Sequence, residues 1–186
     1  MHFNKHWELN GKHSVLSASS NAWSNYDEAK FKEVYKSQIA KLRGTRLHAL
    51  AKEAIELKVH LPRSHRTLDM YVNDAIGFGL TPEQPLAYSK RAFCTADTIG
   101  MPKNILRVHD LKTGSIPAKM RQLEIEAAYF CLEYDIRPDE IPMELRIYQN
   151  DDIVVMEPDP AFVSEIMKKI VLFDALMEEM ENDASV

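Results

Sequence analysis

Arg107-Val108-His109-Asp110-Leu111-Lys112-Thr113-Gly114 is the stretch that decides how the chain is read. It places a carboxylate and an amine two residues apart at the end of an apolar run. In a β-strand, side chains at i and i+2 leave the same face, so Asp110 and Lys112 point together. The apolar residues around them put this strand inside a sheet rather than at a wet edge. Upstream, Asp97 falls near the end of a preceding strand. A hairpin turning around Met101 to Lys103 would bring Asp97 beside Val108, diagonal to Asp110. Diagonal neighbours lie roughly 7–8 Å apart at Cα, close enough for both carboxylates to reach one metal ion.

Two acids in a low-dielectric site repel each other, and a bound cation is the natural reason to place them there. Phosphodiester hydrolysis uses such a set. A divalent metal polarises the phosphoryl oxygen and lowers the pKa of attacking water. A nearby ammonium can orient the nucleophile and neutralise charge gathering on the phosphate. By itself D-x-K is a weak pattern, and taken singly either aspartate also fits a hairpin end or a surface ion pair.

Outward from this centre, the pattern from Asp27 to Lys58 is helical, with Gly44 a point of division, and a second helix is expected over Thr67–Phe78. Pro85–Ser89, Arg91–Ile99 and Ile105–Lys112 read as strands separated by turn residues. Ala118–Tyr134 returns to helix. Met143–Gln149 and Ile153–Glu157 form a hairpin around Asn150, Asp151 and Asp152, and Pro160 opens a last helix to about Met180. This order predicts one α/β domain over residues 1–186, a central mixed sheet flanked by helices. Its parts are a basic, helical region over 1–66, a sheet and catalytic core over 85–157, and a terminal helix over 160–182.

A chain of 186 residues, 45% hydrophobic and 27% charged, suits one globular domain. No run of about 18 apolar residues exists, and Met1 to Gly11 lacks the apolar core of a signal peptide. A cytoplasmic protein without a membrane partner is expected. The net charge of −5 is unevenly spread: residues 1–70 hold 12 Lys and Arg against 7 Asp and Glu, residues 71–186 hold 11 against 21. Lys30, Lys32, Lys36, Lys41, Arg43 and Arg46 are candidates to track phosphates, or a solvated helix face. Cys94 and Cys131 are too few for a four-thiolate centre, so no iron–sulfur cluster is expected.

Four spaced elements resemble the RecB-like exonuclease branch of the PD-(D/E)XK nuclease superfamily, which includes CRISPR-associated and phage exonucleases. Gly44-Thr45-Arg46-Leu47-His48 is similar to its GxxxH helix, Thr95-Ala96-Asp97 to its first acid, and His109-Asp110-Leu111-Lys112-Thr113-Gly114 to its D-x-K-T-G strand. Gln122 stands where the family begins QxxxY. The resemblance implies a restriction-endonuclease-like fold. It implies Mg²⁺ or Mn²⁺ held by His48, Asp97, Asp110 and the carbonyl of Leu111, with Asp97, Asp110, Lys112 and Gln122 in catalysis. A histidine ligand beside carboxylates is compatible with Mn²⁺ as well as Mg²⁺; a lone helical histidine is otherwise a packed or surface residue.

The sequence also departs from the family. Glu126 occupies the position of the tyrosine, and Tyr129 follows three residues later on the same helical face. Cys94-Thr95-Ala96 precedes Asp97 where a glycine is usual, and Pro85–Ser89 lacks the acid often carried on that strand. No Walker A loop is present. The expectation is a metal-dependent DNA exonuclease acting on linear ends in phage or mobile-element recombination, repair or processing, as a homo-oligomer or beside a recombination partner protein. A structure-selective endonuclease of the junction-resolvase kind uses the same parts, and a catalytically silent DNA-binding or assembly module keeps the same fold.

Overall fold

Five strands form one sheet in the order β1 (Thr81–Ala87), β2 (Phe93–Gly100), β3 (Leu106–Leu111), β4 (Met143–Gln149) and β5 (Asp152–Met156). The structure, a computed structural model, describes residues 2–184, and Met1, Ser185 and Val186 lie outside the described residues. β3 and β4 pair in parallel and every other neighbour is antiparallel, so the sheet is mixed. The parallel step requires a crossover, supplied by α3 (Arg121–Glu133). The remaining helices are α1 (Glu28–Glu56), α2 (Thr67–Phe78) and α4 (Pro160–Asp183).

Alternation along β3 and β4 divides the core. Leu106, Val108, Met143, Leu145 and Ile147 face Leu123, Ala127, Ala128 and Cys131 of α3 and Val163 and Ile166 of α4. Leu111 and Tyr148 face the other way, toward Ala51, Ala54 and Ile55 of α1 and Tyr71, Val72 and Ala75 of α2. The sheet is therefore covered by helices on both faces, and both faces of its central strands β3 and β4 are largely buried although their residues alternate between apolar and polar.

The chain forms two compact units, Met1–Arg43 and Gly44–Val186, and the division falls inside α1. In the first, Asp27 accepts the backbone N–H of Lys30 and starts α1, and Phe31 stacks on Tyr35 with centroids 6.0 Å apart. The second holds the whole sheet. No helix of the described residues is long and apolar enough to cross a membrane.

Several expectations are corrected. Gly44 does not divide α1, which runs unbroken for 29 residues. The first strand begins at Thr81 rather than Pro85, because β1 is an edge strand, where Pro82 and Pro85 need not donate to a second neighbour. The third helix starts at Arg121 rather than Ala118: Gln149 pins the preceding loop, donating to the carbonyls of Gly114 and Ile116 and accepting the N–H of Ala118. The β2–β3 turn is centred later than Met101–Lys103, since Pro102–Asn104 forms a 3₁₀ turn with Lys103 and Asn104 at positive φ. Val108 consequently pairs with Ile99, not with Asp97.

Leu106 is wholly buried at the centre of the sheet, whereas Val155 on edge strand β5 is half exposed. Leu106→Ala should cost about 2–5 kcal/mol in urea unfolding, and Val155→Ala less than about 0.5 kcal/mol. Equal costs would contradict this layering.

Candidate metal centre

The β2–β3 ladder runs only from Thr98–His109 to Gly100–Arg107. Beyond it the strands part, and Asp97 bridges the gap with its side chain: Oδ2 accepts the N–H of Leu111 at 3.0 Å. The other oxygen, Oδ1, faces Nδ1 of His48 at 3.4 Å. That imidazole comes from α1, and the carboxylate beside it raises its pKa. Gly44, one turn earlier, is buried, and a Cβ there would lie 2.9 Å from Thr113 Oγ1. The glycine therefore lets α1 approach the end of β3 closely enough to deliver His48.

Glu83 completes a cluster that sequence reasoning missed. One donor atom each from His48, Glu83 and Asp97 lie within 4.8 Å of one another. On β1, Pro82 pairs with Thr98 and Gln84 with Ala96, so Glu83 stands across from Asp97. Like charges directly opposite one another are destabilising. Glu83 is also held at φ +49°, a left-handed conformation that costs a non-glycine residue about 1–3 kcal/mol. The signal lay in Thr81-Pro82-Glu83-Gln84-Pro85, which its prolines made look like a loop.

Asp110 lies on the α3 side of β3 and is 1% exposed. Burial, then the Asp97 charge, raises its pKa despite Lys112. Its Oδ1 accepts Lys112 Nζ at 2.9 Å and Gln122 Nε2 at 3.0 Å. Oδ2 is buried without a hydrogen-bond partner. Gln122 accepts Lys112 Nζ on Oε1 at 2.7 Å and donates to Glu126 Oε1 at 2.9 Å. Glu126 is 3% exposed, and burial pushes its carboxyl up to about 8.

The structure thus gathers His48, Glu83 and Asp97 into one donor cluster, tied by Asp97 to the Leu111 N–H, and links the preceding residue Asp110 with Lys112, Gln122 and Glu126 in one hydrogen-bonded network. Leu111 enters through its N–H. Tyr129 lies elsewhere, lining an apolar groove with Phe162 and Ile166 of α4. Burial pushes the Cys94 and Cys131 thiols up to about 12 and about 11, so both stay protonated. Carboxylates and one imidazole, crowded together with an orphaned buried oxygen, are a donor set that could hold a metal ion.

A scan of the sequence against family models finds no match, and no curated protein matches it. Five chains of solved structures do match. One, described as "Crystal structure of SSO0001", aligns over 81% of this chain and 67% of its own, with 13% identity and a TM-score of 0.36. At that score the likeness carries no argument.

A carboxyl whose pKa is higher in the folded state contributes stability that is full below its unfolded value and is lost as pH rises through the folded value. Metal-free protein should therefore lose stability, relative to Glu126→Gln, as pH rises from about 4.5 to about 8. Urea midpoints across that range in chelator measure the difference. Parallel curves would mean that Glu126 is ionised throughout.

Proposed function

We propose that the protein is a divalent-metal-dependent deoxyribonuclease with a restriction-endonuclease-like catalytic unit. One observation carries the reading: the orphaned Asp110 carboxylate, bound on its other oxygen by Lys112, directly precedes Leu111, whose N–H is held by Asp97 of the His48, Glu83 and Asp97 donor cluster. A structural ion pair does not explain why three acids and an imidazole converge where two strands separate.

In this reading His48, Glu83, Asp97 and Asp110, with the carbonyl of Leu111, hold Mg²⁺ or Mn²⁺. The bound ion supplies Lewis-acid polarisation of the phosphate and acidifies the attacking water. Asp97 and Asp110 neutralise its charge and, anchored by the Leu111 N–H and by Lys112 with Gln122, cannot swing away. Lys112 is partly exposed and projects its ammonium from a fixed base, where it can orient water and meet charge developing on the phosphoryl oxygens. Gln122 holds that ammonium from the α3 side. Exposed Arg43 and Arg46 on α1 suit a phosphate backbone. The favoured activity is exonuclease digestion of linear DNA.

The test is digestion of end-labelled linear, single-stranded and closed circular DNA in Mg²⁺ and in Mn²⁺. Short products from linear ends are expected. Cuts in closed circles would favour a junction-resolvase-like endonuclease, and binding without cleavage in both metals a DNA-binding or assembly module.

Lys112→Ala should lower the single-turnover rate by roughly 10²–10³ while Mn²⁺ binding survives, as for loss of one preorganised electrostatic group. A near-normal rate with much weaker DNA binding would make Lys112 a phosphate contact instead. By contrast, Glu83→Gln and His48→Ala should weaken the metal itself, with His48→Ala losing more activity in Mg²⁺ than in Mn²⁺.

A further inference from the structure

Glu126 sits one helical turn after Gln122 on α3, a spacing that places both side chains on one face. A glutamate on a solvated face would be exposed, yet this one is buried, and its Oε2 has no hydrogen-bond partner. Leaving a charged carboxylate there would be costly.

Its other oxygen accounts for its position. An amide offers one acceptor oxygen and two N–H donors. The Gln122 oxygen accepts Lys112, and Gln122 Nε2 serves Asp110 Oδ1 and Glu126 Oε1 together. Turning the amide over would set its oxygen against two carboxyl oxygens and its N–H groups against an ammonium, losing all three hydrogen bonds. Without Glu126 the amide of Gln122, which is exposed, would be held only at its oxygen by Lys112 and through one N–H by Asp110, and its plane could hinge about the line joining those two contacts.

We propose that Glu126 is a positioning residue: by accepting the second N–H of Gln122 it fixes the amide that holds the Lys112 ammonium against Asp110. This rests on the nuclease reading for its catalytic consequence, but the hydrogen-bond arrangement stands without it. The role needs an acceptor oxygen and no charge. Burial raises the pKa of the carboxyl, so charge on it is disfavoured where Asp97 and Asp110 are already close. A neutral amide of the same shape can therefore replace it, and an apolar side chain cannot.

The experiment compares the full-length wild type with Glu126→Gln and Glu126→Leu. It reads DNA cleavage, Mn²⁺ titration and the side-chain amide resonances of ¹⁵N-labelled Gln122. Glu126→Gln should keep kcat within about threefold and retain the slowly exchanging Gln122 amide signals. Glu126→Leu should lose about tenfold or more in kcat, with KM for DNA and Mn²⁺ affinity within about threefold, and should lose those signals. Positioning is overturned if Glu126→Leu keeps kcat and the amide signals, or if Glu126→Gln falls as far as Glu126→Leu. Should Glu126→Leu fail to fold, Glu126→Gln decides alone, since loss of its kcat or amide protection overturns the role. If the wild type cuts no DNA in either metal, the nuclease reading fails, while the amide resonances still show whether Glu126 orders Gln122.

Discussion

The structure turns on the place where β2 and β3 stop pairing. Past Thr98 and His109 the backbone ladder is replaced by one hydrogen bond from the Leu111 N–H to Asp97 Oδ2. A buried N–H must find an acceptor, and here it finds a carboxylate instead of a carbonyl. That exchange satisfies the end of β3 and fixes the orientation of Asp97. At the same strand end α1 and β1 bring His48 and Glu83 to Asp97, and α3 brings Gln122 to Asp110. On its other edge β3 still pairs with β4, where the Lys112 N–H reaches the Tyr148 carbonyl, so this strand end stays fixed.

The two faces of β3 are treated in opposite ways. On the α2 face, Tyr148 donates to Asp74, which also takes Arg146, and the Tyr148 hydroxyl lies 3.3 Å from His109 Nδ1. Arg107 and Arg146 stack on the Phe78 ring, which meets His109 edge-on. Burial, followed by these two arginines, holds His109 down to about 3, so it stays a neutral core group despite its place in the central motif. On the α3 face, the acids are crowded, and Asp110 Oδ2 and Glu126 Oε2 are left without partners. His109 Nε2, on the α2 side, is buried without a partner as well, so the two sides differ in charge rather than in hydrogen-bond satisfaction: arginines around a neutral imidazole on one, crowded carboxyls on the other.

Much of this was legible in the residues. Period-two alternation in Leu106–Leu111 and helical spacing in α2, α3 and α4 are local properties of a chain, and they announced an α/β fold with β3 inside. The i, i+2 spacing of Asp110 and Lys112 placed them on one face in any strand. What escaped was set by register and contact. Pro82 and Pro85 disguised β1 because proline is judged by local propensity, whereas an edge position removes its penalty. Glu83 went unseen with it, having meaning only across from Asp97. Glu126 read only as a departure from the tyrosine of the motif until α3 was laid against β3.

The sequence by itself determined the kinds of element, their order, and the placing of Asp110 and Lys112 on one face, because backbone sterics and side-chain periodicity act within a few residues. Only the tertiary structure decided which strands are neighbours, that Asp97 caps Leu111 rather than lying beside Val108, and that Gly44 admits Thr113 instead of breaking α1. Those outcomes depend on strand register and on close packing between segments that are not neighbours along the chain, and no local pattern encodes a distance of that kind.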